Sequence, residues 1–564
     1  MANKLELTWF GKENKQEIEP RLLIERSDLS YEQKSCSLFD DATYDNLLIH
    51  GDNLLGLKAL IPFYAGKIKC IYIDPPYNTG AAFEHYDDNV EHSTWLSLMR
   101  DRLVLLRELL SDDGMLFCQI DDNEQAYLTV LMDEIFGRNN RINTICVNMS
   151  NMSGPKVNNA INGKRFPKIK EYILLYAKDK DSYSLTIPKQ NKAKWDSEYN
   201  MIIPELSEEN SIALAAGELD EKVLKTLTIQ SLKKYMADQG LKENDDEWKF
   251  NNAYRIVASK PNVALLKAAK EMNFDSEIAY IESSRGLKRF IKTDFNRETS
   301  TARIELTLAS EHLTTFFGDH WDDIVTTGGV AQEGDVVFKA SKKPEKLIAR
   351  VIECCTKEND WVLDSFLGSG TTAAVAHKMR RKWIGIEMGD HAYTHCKKRL
   401  DTIIDGKDPS GVTDKYKWEG GGGYKFYEIA PTLINIDAFG QAVINKEYNS
   451  DMLAAAVAIH EGFRYQPDKD CYWKQAKNEK NTYLYVTTNH VTEDVINSIK
   501  AEMQEDEFLV LVCKSYDESL KRLAKNITIK KIPQSLLKNC EFGVDNYDLN
   551  IVCPPEYDYD EEVE

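Results

Sequence analysis

The sequence predicts an α/β fold: a Rossmann-like, mainly parallel sheet with helices on both faces, an inserted domain, and a C-terminal α+β region. Three observations predict it. From Asn46 onward, short apolar runs alternate with helical periods, the pattern of βαβ units. The alternation stops between residues 185 and 320 and resumes near 344. Gly420-Gly421-Gly422-Gly423 then marks a loop or linker before a region of different pattern. The expected domains are an N-terminal segment (1–45), one half of the main domain (46–184), an insert (185–320), the other half (321–430) and a C-terminal region (431–564) with an acidic tail at 556–564.

In chain order, Leu47-Leu48-Ile49 reads as a strand ending at His50-Gly51-Asp52, and 53–61 as a helix with its leucines on one side. Residues 69–73 form the next buried strand, which ends at Asp74-Pro75-Pro76-Tyr77 because two prolines cannot continue a central strand. Residues 93–110 carry a strong helical period. Asp113-Gly114 reads as a turn, 115–120 as a strand, 123–136 as a helix, and 142–147 and 172–176 as strands. The insert is polar and mostly helical in propensity, as at 218–239 and 262–272. The pattern then reads helix 344–357, strand 360–364, helix 371–380, strand 383–387 and helix 390–404. Beyond 430, residues 483–487 and 508–513 read as strands.

Composition removes several function classes. No apolar run approaches the ~20 residues of a membrane span, and residues 1–10 lack the apolar core of a signal peptide, so a cytoplasmic location is expected. The 11 cysteines form no C-x-x-C, which argues for reduced, buried thiols over a disulfide scaffold or zinc ribbon. The ten histidines are dispersed, so no metal site is expected. The net charge of −20 argues against a basic nucleic-acid footprint over the whole surface. It leaves room for a local basic cleft. Two clusters qualify: Lys156, Lys164, Arg165, Lys168 and Lys170, and Arg285, Lys288, Arg289, Lys292, Arg297 and Arg303. Each residue taken singly is better explained by a solvated helix face, whereas the clusters as wholes favour a DNA-binding groove. Tyr254, Phe290 and Phe295 suit base stacking, although packing accounts for each of them better.

Two motifs carry chemistry. Asp74-Pro75-Pro76-Tyr77 follows an apolar strand, where open α/β sheets bind ligands. Its residue types suit an exocyclic amine. The carboxylate accepts one amino hydrogen, a carbonyl of the rigid turn accepts the other, and the ring stacks on a base taken out of the duplex. Two acceptors would localise the nitrogen lone pair and stabilise the charge that develops during attack. The second motif is the loop 364–370, Asp364-Ser365-Phe366-Leu367-Gly368-Ser369-Gly370, which opens a helix at Thr371-Thr372. Glu387, 17 residues after Gly370 at the next strand's end, suits ribose hydroxyls. Alone, this loop fits NAD as well as S-adenosylmethionine.

Together, and in this order, the motifs resemble the β-group amino-methyltransferases of DNA, most of all the modification (Mod) subunits of Type III restriction–modification systems. The resemblance also rests on Trp9, Glu19-Pro20-Arg21, His50-Gly51-Asp52-Asn53, Trp95, Met99, Arg102, Asp121 and Lys343-Pro344, and covers residues 1–430. It implies S-adenosylmethionine as cofactor and methylation of adenine N6 in double-stranded DNA after base flipping. It also implies that Asp74 and the backbone of Pro75 and Pro76 hold the amine, and that Tyr77 stacks on the base. Asp364, Phe366, Gly368, Gly370 and Glu387 would then line the cofactor, with Asp52 at its adenine and Thr371, Thr372 and Lys343 at its carboxylate. The amine becomes acidic once methylated, so no separate general base is implied. By the same resemblance the insert is the target-recognition domain; the two basic clusters give Lys164, Arg165, Lys168, Arg285, Arg289, Arg297 and Arg303 as the expected DNA contacts. The region after 430 would serve a homodimer or a restriction subunit (helicase or nuclease). Two other readings stay open: an N4-cytosine methyltransferase on the same scaffold, and a non-catalytic DNA-binding specificity subunit.

Overall fold

The computed structural model describes residues 6–13, 18–33, 45–78, 92–149, 155–283, 286–324, 330–336, 338, 342–436, 439–478, 481–523 and 525–532. Arg285 and the acidic tail lie outside the described residues. The chain divides into two compact units, one of residues 1–186 with 318–564 and one of Ile187–Phe317.

The first unit is built on a sheet of eleven strands. Ten lie on one path: β1 (Leu23–Glu25), β2 (Leu47–His50), β3 (Ile68–Ile73), β4 (Leu110–Ile120), β5 (Arg141–Asn148), β6 (Lys170–Ala177), β7 (His320–Trp321), β8 (Trp361–Asp364), β9 (Lys382–Glu387) and β10 (Gly422–Ile429). Their spatial order is β1-β10-β2-β9-β8-β3-β4-β6-β5-β7. The six strands from β10 to β4 are mutually parallel, and β6 turns antiparallel against β4 and β5. The central strands are apolar on both faces, as β3 shows with Ile68, Cys70, Ile71, Tyr72 and Ile73 all buried, because helices cover both sides. Among these helices, α1 (Asn53–Tyr64) and α2 (His92–Leu109) pack together. The latter buries Trp95, Met99, Arg102, Leu103 and Leu106 at helical spacing.

Local readings need correction in four places. Residues 113–114 are not a turn: β4 runs through them. Gly114 is required because a Cβ there would lie 2.7 Å from the Ile68 carbonyl oxygen. The glycine run at 420–423 is not a linker. Gly420, Gly421 and Gly422 take positive φ, and Gly420 packs on Gly406 so closely that a side chain has no room. The run thus delivers β10 into the sheet. The helix read at 123–136 ends in a π-helical segment, Asp133–Gly137, and the one read at 390–404 begins with one, Ala392–Lys397.

The fourth correction concerns the second unit, which is not mostly helical. A six-stranded sheet, antiparallel throughout, runs through its centre, with strands such as Ile256–Pro261 and Arg303–Leu308. Helical propensity over 218–239 yields only short helices, since tertiary burial of Ile256, Val257, Ile304 and Leu306 outweighs local preference.

After β10 the chain builds two further apolar cores, one around Leu453 and Val457 and one around Trp473 and Leu511. Strands Thr482–Val491, Phe508–Tyr516 and Ile527–Lys531 are parallel neighbours there. Glu19 ties the N-terminal segment to this region by accepting from the Leu433 amide at 2.7 Å. Among the described residues no helix is long and apolar enough to cross a membrane.

Candidate active site

Sheet topology joins the two motifs. β8 and β3 are adjacent parallel strands, with Leu363 paired to Ile71. Asp364 ends the first and Asp74 follows the second, so carboxylates 290 residues apart in sequence meet at one sheet edge. Glu387 ends β9, on the other side of β8. All three occupy the carboxyl ends of parallel strands, where this topology forms its crevice.

Asp74 is held at both oxygens. Tyr77 donates its hydroxyl to Oδ1 at 2.6 Å, and Lys343 Nζ lies 2.7 Å from Oδ2. The same tyrosine hydroxyl is 2.8 Å from Glu171 Oε2 at the start of β6. Lys343 reaches that carboxylate at 3.6 Å and lies 5.1 Å from the Tyr77 ring centre. Gln119 of β4 donates to Glu171, and Tyr72 of β3 donates to Gln119. Burial raises the Asp74 carboxyl above its usual range, with Lys343 opposing and Glu171 reinforcing the shift. Burial and the two carboxylates push the Tyr77 hydroxyl well up, so it keeps its proton. Burial works against the charge of Lys343, yet Asp74 and Glu171 hold its ammonium above the ordinary lysine value. The Pro76 carbonyl accepts from the Trp95 indole at 2.9 Å.

The loop 364–370 is shaped from within. Asp364 accepts from the Phe366 amide at 2.9 Å and from the Thr372 hydroxyl at 2.6 Å. Burial, against those two bonds, pushes its carboxyl up to about 7. Gly368 and Gly370 take φ of +55° and +80°. A Cβ on Gly368 would meet no atom within 4 Å, so the loop faces open space there. Glu387 accepts from the Gly368 amide at 2.6 Å and from the Gly389 amide at 3.2 Å. The Ser365 hydroxyl is buried with no hydrogen-bond partner.

Beneath the loop lies a fully buried charge cluster. Lys378 Nζ is 2.8 Å from Glu345 and 2.7 Å from Asp408. Arg399 is 2.7 Å from Glu345 and donates to the Thr371 hydroxyl at 2.8 Å and the Ser369 carbonyl at 3.3 Å.

Several sequence-marked residues sit elsewhere than expected. Lys343 lies on Asp74. Asp52 caps α1, accepting from the Leu54 and Leu55 amides, and pairs with buried Arg102 at 3.4 Å. Thr371 serves Arg399. Of the basic residues, Arg297 spends its guanidinium on the carbonyls of Lys270 and Met272, and Arg303 donates to that of Ser259. Lys168 pairs with Asp121. Lys164 and Arg165 are exposed, beside Phe166, whose ring is 95% exposed. Arg289, half exposed, approaches Glu305 at 3.9 Å. Phe290 is core. Glu171 and Gln119 were missed. Their signal is a charged residue at the head of an apolar strand and a single amide inside one. Among the described residues, no group of three or more His, Cys, Asp or Glu could hold a metal ion.

A family model described as DNA methylase matches residues 68–398. The chain is similar to the probable type III restriction-modification enzyme HindVI Mod subunit of Haemophilus influenzae. Identity is 34% over 418 residues, covering 70% of this chain and 55% of that protein. It is similar to the EcoPI Mod subunit of Escherichia phage P1 at 29% over 411 residues, covering 66% and 60%. It is also similar to the type II methyltransferase M.EcaI of Enterobacter cloacae at 26% over 406 residues, covering 70% and 77%. The chain thus spans little more than half the length of the two Mod subunits.

Proposed function

The chain belongs to the DNA methylase family, and from that premise we propose that it methylates adenine N6 in double-stranded DNA, with S-adenosylmethionine as cofactor and the target base flipped out. The observation that carries this reading is the pairing of β8 with β3, which sets Asp74 beside the glycine loop. S-adenosylmethionine fits the residues present. Gly368 leaves open space, Ser365 offers a buried hydroxyl without a partner, and Glu387 stands one strand away for the ribose. When bound, the cofactor supplies an electrophilic methyl group.

The residues of this chain do the rest. Asp74 accepts one hydrogen of the target amine and the Pro75 carbonyl the other, which localises the lone pair and stabilises the positive charge growing on nitrogen. After transfer the amine proton passes to Asp74, whose burial favours the protonated form. An aspartate at position 74 matches the adenine enzymes better than the serine more usual in cytosine enzymes. Tyr77 stacks on the flipped base, so Tyr77→Ala is expected to lower transfer more than Tyr77→Phe, as stacking is worth about 1–3 kcal/mol per base. Steady-state rates on one duplex check this, and equal loss in both variants would transfer the role from the ring to the hydroxyl.

The reading extends to a Type III-like modification subunit working beside a restriction subunit, as the names of the two Mod relatives suggest, and to a homodimer of this chain. The unit Ile187–Phe317 is the target-recognition domain in this reading. A pocket that sees one flipped base cannot distinguish its neighbours, and reading them takes major-groove contacts worth about 1–3 kcal/mol per bidentate pair. The test is to sequence methylated bases in DNA from cells expressing the protein, then to exchange residues 187–317 with those of a relative of different specificity. N6-methyladenine at one short asymmetric site, moving with the exchanged unit, is the expected result. Methylcytosine would overturn the base assignment, and a motif that stays with the frame would overturn the role of the insert.

A further inference from the structure

Both oxygens of Asp74 are already engaged, Oδ1 by the Tyr77 hydroxyl at 2.6 Å and Oδ2 by Lys343 at 2.7 Å, and although each keeps a second acceptor site, the bond from Tyr77 weakens Oδ1 as an acceptor for the target amine. The hydroxyl carries a single proton, yet it lies between two carboxylates, with Glu171 Oε2 only 2.8 Å away. That proton serves one carboxylate at a time. We infer that Glu171 is a positioning residue: it takes over the Tyr77 hydroxyl when the target base arrives and so leaves Asp74 Oδ1 the stronger acceptor for the adenine amine. The change is a rotation about the phenol C–O bond with a small withdrawal of the hydroxyl from Oδ1, since two oxygens with no proton between them do not rest 2.6 Å apart. No covalent bond forms or breaks.

The surroundings of Glu171 suit this task. Gln119 donates to the same Oε2, and Tyr72 in turn fixes the Gln119 amide, so the orientation of the acceptor is set by two neighbouring strands. Lys343 at 3.6 Å supplies a countercharge shared between the two carboxylates. These groups also account for a carboxylate held in a largely apolar sheet, where an unsatisfied charge is strongly disfavoured.

This inference rests on the proposed adenine methylation, and its test keeps the two apart. Glu171→Leu removes the alternative acceptor, and Glu171→Gln leaves a neutral one. A hydrogen bond to a charged group is worth about 1.5–3 kcal/mol, so Glu171→Leu is expected to lower kcat/KM roughly 10- to 100-fold, and Glu171→Gln less. In a Tyr77→Phe background there is no hydroxyl to remove from Asp74, and the same changes should cost less than about twofold by a double-mutant cycle. A second readout needs no turnover. Duplexes carrying adenine or 2-aminopurine at the mapped target are bound to each variant without cofactor. 2-Aminopurine has no 6-amino group, so Glu171→Leu should weaken binding of the adenine duplex alone. Equal losses in both Tyr77 backgrounds, or equal weakening of both duplexes, would overturn the role of Glu171. Cytosine methylation by the wild-type protein would overturn the base assignment first, independently of those ratios.

Discussion

Asp74→Ala is expected to abolish methyl transfer while the protein still folds and binds S-adenosylmethionine. The carboxylate is the acceptor on which lone-pair localisation depends. Its loss removes an interaction that strengthens as charge develops, a class whose single members are worth on the order of 10²–10³ in rate. The loss here should be at least that large, since Lys343 would be left beside Glu171 with no second carboxylate, 3.6 Å away. The fold should persist because Asp74 lies just past the end of β3, and that strand is anchored by register with β8 and β4. Single-turnover transfer and calorimetric titration of the cofactor, both in the presence of a chelator, measure the two halves of the expectation. Near-normal turnover would remove Asp74 from the mechanism. Lost cofactor binding would show that it acts on the fold or the loop.

Glu345→Ala is expected to destabilise the first unit by about 3–5 kcal/mol, the range for removing one partner from a buried ion cluster. Glu345 is fully buried and bonds Lys378, Arg399 and the Val412 amide. Two acids, Glu345 and Asp408, balance two bases, Lys378 and Arg399, away from water. Without Glu345 the cluster carries a net positive charge that the surroundings cannot solvate. Arg399 also loses the partner that aims it at Ser369 and Thr371, so cofactor affinity should fall with stability. Denaturant midpoints at unchanged slope measure the first effect and calorimetry the second. A shift under about 1 kcal/mol would mean that solvent reaches the cluster.

The parts of this protein legible from sequence are those decided by local chemistry. A double proline must end a strand, and a glycine pair before a helix must turn the backbone, so Asp74 and the loop 364–370 could be placed before any coordinates. Residues whose role is set by tertiary neighbours were not legible. Lys343 precedes a proline at a helix start and gives no sign that it points at Asp74. Asp52 has the composition of a ligand contact, yet its local environment makes it a helix cap. The insert shows helical propensity, but its alternating apolar positions are consumed by a sheet whose pairings span many residues. Gly114 and Gly420 read as breakers because one sequence cannot distinguish a turn from a site where another backbone passes close.

The interleaving of strands has a consequence for the protein's biosynthesis. Strands β2 and β3 are consecutive in the chain but are separated in the sheet by β9 and β8, which are made some 300 residues later. A ribosome adding about 5–20 residues per second leaves this gap unfilled for tens of seconds. During that interval two apolar strand edges have no partner within their own chain. Such edges are templates for pairing with another copy. Yield at high expression should therefore depend on chaperone supply and translation speed. The same topology makes a split after residue 186 a demanding complementation, because the C-terminal piece must thread two strands between two that have already formed.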